Sequence, residues 1–158
     1  MNIIDLHCDT ISALVFQKEK QAETLYQNTL HVDLQKMKQS NYLLQNFAMF
    51  VDKKNSLDPF LDALAMIDRF YEEIEKNSDT IAVAKSYRDI IRNHEQGKIS
   101  AMITLEEGGI LNGKLSNLRT LYRLGARMIT FTWNYPNQLG FPNNYCCKNS
   151  LDLTIPDT

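Results

Sequence analysis

The sequence predicts an α/β protein with a parallel sheet that is covered by helices. Short apolar runs without polar alternation recur along the chain, as in strands that are buried on both faces. Amphipathic segments separate these runs, and such strand–helix alternation is typical of parallel sheets. With 158 residues, of which 44% are hydrophobic, the chain is long enough for one domain with a substantial core.

The first third of the chain contains two predicted strands and two short helices. Residues 3–8 read as a buried strand, and Thr10 is a suitable N-cap for the helix that follows. Polar residues at 17–29 indicate a loop, after which Asp33 can cap a second short helix. The aromatic and aliphatic run at 42–51 predicts the second buried strand.

The middle of the chain is predicted to contain two longer helices with a weak strand between them. The first helix begins near Leu57. Its apolar stripe consists of Phe60, Leu64, Ile67, Tyr71 and Ile74. Residues 80–84 are the weak strand candidate. Ser86 and Asp89 form a capping box for the second helix, which is expected to end at Gly97.

The last part of the chain adds two strands and then loses regular patterning. Residues 99–107 are a strong strand candidate, and the helix after them is closed by Gly125. Residues 127–133 are the next strand. Pro, Asn and Gly are frequent from 134 to 158, which predicts a long loop. An α/β domain that stops in such a loop looks incomplete.

Composition argues against several classes of partner. A net charge of -2 without a basic cluster disfavours nucleic acid, because phosphate binding needs clustered Lys and Arg. No apolar run approaches the ~20 residues of a membrane span, and the N-terminus does not resemble a signal peptide. Cys8, Cys146 and Cys147 form neither a disulfide framework nor a C-x-x-C pair. We therefore expect a cytoplasmic protein that binds neither membranes nor nucleic acid.

The first candidate site is His7-Cys8-Asp9, at the end of the first predicted strand. Alternate residues of a strand share a face, so His7 and Asp9 should point the same way, together with Asp5. An imidazole beside a carboxylate suits a divalent ion such as zinc. Barrel enzymes of the α/β class place their active sites at the carboxyl ends of strands. A hydrogen-bonded His–Asp pair without a metal is the alternative explanation.

The other two histidines have simpler explanations. His31-Val32-Asp33 repeats the spacing but precedes a helix, where Asp33 is better explained as an N-cap. His94 lies in the predicted last turn of a helix, where a positive charge suits the helix dipole. We expect His94 to be exposed and structural.

The second candidate site is the end of the strand at 99–107, where two glutamates precede two glycines. Glycines let the backbone turn sharply and approach a ligand closely. A carboxylate here could bridge two metal ions at the usual separation of about 3.5–4 Å. Strand parity does not choose between Glu106 and Glu107, because both faces of a barrel strand are buried. The alternative is that both are solvated loop residues.

These residues resemble the membrane (renal-type) dipeptidase family of zinc peptidases. The matching segments are DLHCDT at 5–10, LEEGG at 105–109 and LSNLRTLYRLGARMITFTWNYPNQLG at 115–140, in that order. The resemblance implies a (β/α)8 (TIM) barrel with two zinc ions bridged by a carboxylate and a hydroxide. It also implies hydrolysis of dipeptides, some with a D-residue at the C-terminal position.

The resemblance also implies roles for particular residues. His7 and Asp9 match the ligands of one zinc ion, and Glu107, directly before Gly-Gly, matches the bridging glutamate. Glu106 has no assigned role. Where the animal enzymes carry a substrate-contacting histidine, this sequence has Trp133 followed by Asn134. Either residue could contact the substrate, Trp133 by apolar packing and Asn134 by hydrogen bonds.

The resemblance covers only the N-terminal half of such a barrel. The family's two further zinc-binding histidines, and an arginine and an aspartate for the substrate, lie in its second half. A barrel of this type needs about 250 residues. We therefore expect residues 1–158 to be the N-terminal part of one barrel domain. Alone, they should hold zinc poorly, cleave no dipeptide and self-associate through exposed sheet edges.

Two other interpretations stay open. One is a different metal-dependent hydrolase on the same barrel, such as an amidohydrolase or a phosphoesterase. These commonly open with H-x-H, whereas Asp9 occupies the second position here. The other is a non-catalytic barrel fragment. The dipeptidase interpretation requires that the side chains of His7, Asp9 and Glu107 converge at one end of the sheet.

Overall fold

The computed structural model describes residues 1–143, in which strands and helices alternate as predicted. The strands are β1 (Ile3–Asp5), β2 (Tyr42–Phe50), β3 (Ile81–Val83), β4 (Ile99–Glu106) and β5 (Ala126–Thr130). The α-helices are α1 (Thr10–Phe16), α2 (Leu34–Gln39), α3 (Pro59–Lys76), α4 (Tyr87–Glu95) and α5 (Leu115–Leu124). Short 3-10 helices lie at Lys18–Lys20 and Gly108–Leu111. Residues 144–158 of the predicted loop, including Cys146 and Cys147, are outside the described residues.

The strands form one parallel sheet with β2 and β4 at its centre. These two strands pair from Leu44 and Ser100 to Phe50 and Glu106. β1 lies on the other side of β2. β3 pairs with the amino-terminal part of β4, and β5 pairs with its carboxyl-terminal part. Since all pairs are parallel, β1, β2, β4 and β5 point their carboxyl ends to the same edge of the sheet.

Helix α3 covers the centre of the sheet with a stripe that includes the predicted Ile67 and Ile74 and otherwise lies one position before the predicted residues. Its buried apolar residues are Ala63, Met66, Ile67, Phe70 and Ile74. The predicted Phe60, Leu64 and Tyr71 are only partly buried, at the margin of the core. Phe70 contacts Phe47 of β2 edge to face, with ring centroids 5.6 Å apart. Tyr71 lies at the margin because its hydroxyl donates to the backbone oxygen of Leu124.

Most of the predicted helix ends are confirmed. Asp33 accepts the Lys36 N–H at 2.8 Å, and Ser86 accepts the Asp89 N–H at 3.3 Å. Gly125 ends α5 with φ of 117°, a conformation that favours glycine. The prediction that Thr10 caps α1 is wrong. Asp9 occupies the N-cap position, and Thr10 is the first helical residue.

Two features of the described residues bear on the partners of the chain. No helix within residues 1–143 combines the length and the apolar character that crossing a membrane requires. The outer edges of β1 and β5 pair with no other strand in this part of the chain.

His94 is exposed in the last turn of α4, as expected.

Candidate metal centre at the carboxyl edge of the sheet

The segment His7-Cys8-Asp9 continues alongside β2 although β1 itself ends at Asp5. The Cys8 N–H donates to the Asn46 oxygen at 3.1 Å, and the Ala48 N–H donates to the Cys8 oxygen at 2.9 Å. Backbone pairing therefore keeps the strand-like alternation of side chains. Cys8 is buried with 7% exposure, whereas the side chains of His7 and Asp9 are 49% and 56% exposed on the opposite side.

Glu106, the last residue of β4, brings a second carboxylate to His7. His7 Nε2 lies 3.3 Å from Asp9 Oδ1 and 3.2 Å from Glu106 Oε2. One potential ligand atom from each of the three residues lies within 4.8 Å of the others. We call His7, Asp9 and Glu106 the His–Asp–Glu cluster.

The convergence with Glu107 that the dipeptidase interpretation requires is therefore not found, and residues 7 and 9 converge with Glu106 instead. β4 pairs in register with β2 through Glu106, so this residue keeps a strand orientation beside Phe50. It shares its partly exposed face with Met102. Glu107 follows the strand and precedes the 3-10 helix at 108–111, so its side chain takes a different direction. Metal binding by any of these residues stays a prediction.

Glu107 instead holds the chain after β5. It is 2% exposed, and its Oε2 accepts the Trp133 N–H at 3.2 Å and Asn137 Nδ2 at 2.8 Å. Asn137, itself 4% exposed, also donates to the Phe131 oxygen at 2.7 Å. We call residues 131–140 the Trp133 loop. A buried carboxylate needs such donors to offset its lost hydration.

The two glycines after Glu107 are required by close packing within the protein. A Cβ on Gly109 would lie 2.6 Å from Glu107 Oε1. A Cβ on Gly108 would lie 2.6 Å from Leu139 Cδ1 and 2.7 Å from the Phe131 oxygen. The glycines therefore let the Trp133 loop and the Glu107 carboxylate approach the backbone. The sequence suggested close approach of a ligand at this point.

The structure places the predicted substrate residues in the Trp133 loop, at the same edge of the sheet as the cluster. The Trp133 ring packs edge to face on Phe50, with centroids 4.9 Å apart. Asn134 is exposed. Substrate contact by either residue stays a prediction. The role of Asn137 was not predicted from the sequence. In the sequence it is an Asn in a loop rich in Pro and Gly, and Asn134 has the same surroundings, so the pattern does not distinguish the two.

We expect Glu107→Ala to release the Trp133 loop. The change leaves two donors of the loop without their acceptor, which should lower the free energy of unfolding by about 2 kcal/mol. Trp133 is the single tryptophan of the chain, so its fluorescence reports on this loop directly. We expect a red shift of the emission and faster quenching by iodide. Glu106→Ala is the matched control and should leave the emission in place. An unchanged spectrum for Glu107→Ala would refute the anchoring role.

Burial raises the pKa of two groups at this site, the Glu106 carboxyl of the cluster and the neighbouring Cys8 thiol. It raises the pKa of Glu106, a rise that the His7 imidazole opposes and that the Asp9 and Glu107 carboxylates reinforce. Burial also raises the pKa of the Cys8 thiol to about 12. Cys8 is therefore a neutral thiol at pH 7, and the thiolate is the form that binds metals. Cys8 is buried on the side of the segment opposite His7 and Asp9, so it is not a candidate ligand of the cluster.

The raised pKa of Glu106 predicts that this residue destabilises the metal-free protein at neutral pH. A carboxyl whose pKa is higher in the folded state contributes stability at low pH, and this contribution is lost as the pH rises through the folded pKa. Glu106→Gln, which removes the charge, should raise the melting temperature in the presence of a chelator at pH 7. At pH 4 the gain should shrink. A gain that is larger at pH 4 than at pH 7 would contradict the assignment.

A cavity of about 430 Å³ opens beside the cluster. Its wall includes His7 and Asp9 of the cluster, and Asp5, whose carboxylate accepts the His7 N–H at 3.2 Å. His31, from the segment before α2, also lines this cavity. The cavity gives a small molecule access to the cluster.

The donor set of the cluster fits a divalent transition metal. An imidazole nitrogen and two carboxylates are common zinc ligands, and three protein ligands with an open position are typical of catalytic sites. Within residues 1–143, neither Asp9 nor Glu106 has an ion pair with a lysine or an arginine. Within this part of the chain, no lysine or arginine therefore offsets the negative charge of the two carboxylates.

A parallel α/β sheet with a histidine–carboxylate cluster at its carboxyl edge defines a class, that of metal-dependent enzymes built on α/β barrels. The sequence places the chain more narrowly. Residues 1–143 match the family described as membrane dipeptidase, peptidase family M19. The chain belongs to this family, which confirms the resemblance seen in the sequence.

Three solved structures are similar in fold. Dipeptidase AC, a metallopeptidase of family M19, is 21% identical, with a TM-score of 0.74 over 86% of this chain. A metallopeptidase from Rhodobacter sphaeroides, liganded with a phosphinate mimic of the dipeptide L-Ala-D-Ala, is 20% identical, with a TM-score of 0.75 over 86%. An amidohydrolase from Pseudomonas aeruginosa is 19% identical, with a TM-score of 0.62 over 68%.

The chain spans less than half of each of these proteins. It covers 44% of dipeptidase AC, 46% of the Rhodobacter sphaeroides protein and 32% of the amidohydrolase. The predicted partial barrel is therefore confirmed as the fold.

Proposed function

We propose that this chain is the N-terminal part of a zinc-dependent dipeptidase. The observation that carries the proposal is the His–Asp–Glu cluster, at the carboxyl edge of the sheet in a member of the M19 family. In this proposal His7, Asp9 and Glu106 would hold zinc, and Glu106 would take the place that the resemblance assigned to Glu107. The complete enzyme would hold two ions.

The residues of the chain prepare the site for peptide hydrolysis. Bound zinc would supply a Lewis acid for the scissile carbonyl and an acidified water at neutral pH. Asp5 accepts the backbone N–H of His7 at 3.2 Å and so fixes the turn that presents the imidazole. The pairing of β4 with β2 fixes the position of Glu106. Glu107 holds the Trp133 loop at the same edge.

Dipeptides are the proposed substrate class. The Rhodobacter sphaeroides protein, which is similar in fold, carries a mimic of L-Ala-D-Ala. The cavity beside His7 and Asp9 is of a size that suits a small ligand. Trp133 and Asn134 are proposed to contact the substrate from the Trp133 loop. The family match supports a dipeptidase over a phosphoesterase.

We predict that residues 1–158 alone cleave no dipeptide. The three ligands found within residues 1–143 do not complete two zinc sites, since each ion usually has at least three protein ligands. The assay is hydrolysis of Ala-Ala and Ala-D-Ala by the zinc-loaded chain, followed by release of free alanine. Cleavage that is abolished by His7→Ala would show that this chain is sufficient, and would overturn the prediction of inactivity while supporting the function.

The function itself is tested in a protein that contains these residues together with the remaining part of the barrel. Zinc-dependent cleavage of dipeptides is expected, and His7→Ala should abolish it. Hydrolysis of other amides without hydrolysis of dipeptides would favour the amidohydrolase alternative. The similarity in fold to the Pseudomonas aeruginosa amidohydrolase is the reason to test it. Metal content that is unchanged in His7→Ala and Glu106→Ala would favour a non-catalytic protein.

Two further proposals concern the surroundings of the chain. Self-association is expected because the outer edges of β1 and β5 have no strand partner within residues 1–143. Sedimentation as a clean monomer would contradict it. A cytoplasmic location, inferred from the cysteine content, stays a prediction.

A further inference from the structure

His31 has no place in the His–Asp–Glu cluster, yet it lies on the wall of the cavity beside it. Its sequence motif, His31-Val32-Asp33, is explained only in part by helix capping. Asp33 caps α2 as predicted. The side chain of His31 is exposed, and it lines the same cavity as His7 and Asp9.

The segment that carries His31 is held in place on both sides of this residue. The Thr10 hydroxyl donates to the Val32 oxygen at 3.2 Å, and Thr10 directly follows Asp9 of the cluster. Lys36 Nζ donates to the Leu30 oxygen at 2.6 Å. Further back, the Leu25 N–H donates to the buried Glu73 carboxylate at 2.6 Å. His31 is therefore presented to the cavity by a backbone with fixed neighbours on each side.

The chemistry of the cavity wall gives this imidazole a specific use. Asp5 and Asp9 are carboxylates, which accept hydrogen bonds but repel the oxygen atoms of a peptide. His7 faces Asp9 and Glu106 through Nε2. An imidazole always has at least one N–H to donate, whichever tautomer is present.

We propose that His31 is a substrate-contacting residue of the site, which donates an imidazole N–H to an oxygen atom of the bound dipeptide. The inference rests on the proposed function. It assigns to His31 a share in substrate affinity, and it leaves metal binding to the cluster.

The chain has three histidines, His7, His31 and His94, so each imidazole can be followed by NMR. Zinc alone, at a millimolar concentration that occupies even a weak site, should shift the signals of His7. Adding a phosphinate mimic of L-Ala-D-Ala at millimolar concentration should then shift those of His31 and leave those of His94 in place. His31→Ala should weaken the binding of the mimic roughly fivefold, as expected for one lost hydrogen bond. His31→Gln, which keeps an N–H donor, should recover part of the affinity, and His94→Ala should change nothing.

The outcomes separate this inference from the proposed function. If zinc and the mimic shift His7 but not His31, and His31→Ala binds the mimic as tightly as the wild type, His31 is not a substrate contact and the function stands. Equal weakening by His31→Ala and His31→Gln would refute the donor role. No response at any histidine would overturn the inference together with metal and dipeptide binding by this chain. Matched circular dichroism spectra should show that the variants fold alike.

Discussion

Glu106→Gln should abolish zinc binding by the His–Asp–Glu cluster, whereas Glu107→Gln should leave it nearly unchanged. Glu106 Oε2 lies 3.2 Å from His7 Nε2, at the centre of the cluster. A neutral amide is a poor substitute for a carboxylate ligand. Changing a residue that only supports a metal ligand lowers the metal affinity about 10–100-fold. The loss of zinc affinity in Glu106→Gln should therefore be larger. Isothermal titration with zinc at constant pH measures both variants.

The pair of neighbours makes this experiment discriminating. Glu106 and Glu107 are adjacent, chemically identical and both at the end of β4, yet only one faces His7. Substitution by Gln keeps the shape of each side chain, and the effect on folding can be measured in the presence of a chelator. If Glu107→Gln lost zinc and Glu106→Gln retained it, the original assignment from the sequence would be right and the geometry of the cluster would not describe the metal site.

Glu73→Ala should be the most destabilising single change among those considered. Glu73 is completely buried on α3, where Oε2 accepts the Leu25 N–H at 2.6 Å and Oε1 lies 3.0 Å from Arg69. Removing the carboxylate leaves a buried N–H without an acceptor and a partly buried guanidinium without its partner. Breaking a buried pair in this way costs about 3–5 kcal/mol. Urea unfolding measures the loss.

The adjacent Glu72 on the same helix is the control for this change. Its side chain is 52% exposed and lies 3.6 Å from Lys76 Nζ, a surface pair of small value. Glu72→Ala should change the stability by no more than about 0.5 kcal/mol. Similar losses for the two variants would mean that Glu73 acts only through helix propensity. A large loss confined to Glu73→Ala would show that the segment bearing His31 is held by this carboxylate.

Both predictions concern the candidate metal centre and the cavity beside it. Glu106 is brought to the site by strand pairing, and His31 is brought to it by the long segment between α1 and α2, whose one helical turn lies at Lys18–Lys20. That segment is attached to α3 by Glu73 and by Arg69, which donates to the Glu23 oxygen at 2.9 Å. Loss of the Glu73 contacts should therefore disturb the cavity wall before it disturbs the cluster. Proteolysis between residues 17 and 33 should rise in Glu73→Ala while zinc affinity falls only slightly.

Local patterns in the sequence were sufficient for most of the fold. The apolar run at 42–51 and the strand at 99–107 lie within one residue of β2 and β4. The caps at Asp33, Ser86 and Gly125 were also correct. Each of these depends on hydrogen bonds between residues close in the chain, or on burial that composition reveals. The pairing of His7 with Asp9 belongs to the same group, because strand alternation alone places both on one face.

Tertiary structure decided which glutamate faces His7, what the glycines at 108 and 109 pack against, and where His31 lies. Glu106 and Glu107 are equivalent by composition, and only the register of β4 against β2 separates them. Asn137 and Glu73 act across 30 and 48 positions of the chain. The sequence by itself determined the elements, because their periodicity and caps are local. The choice among equivalent polar residues was left to packing, because a buried carboxylate is paired by donors that distant segments bring to it, as Trp133 and Asn137 pair one of the two oxygens of Glu107.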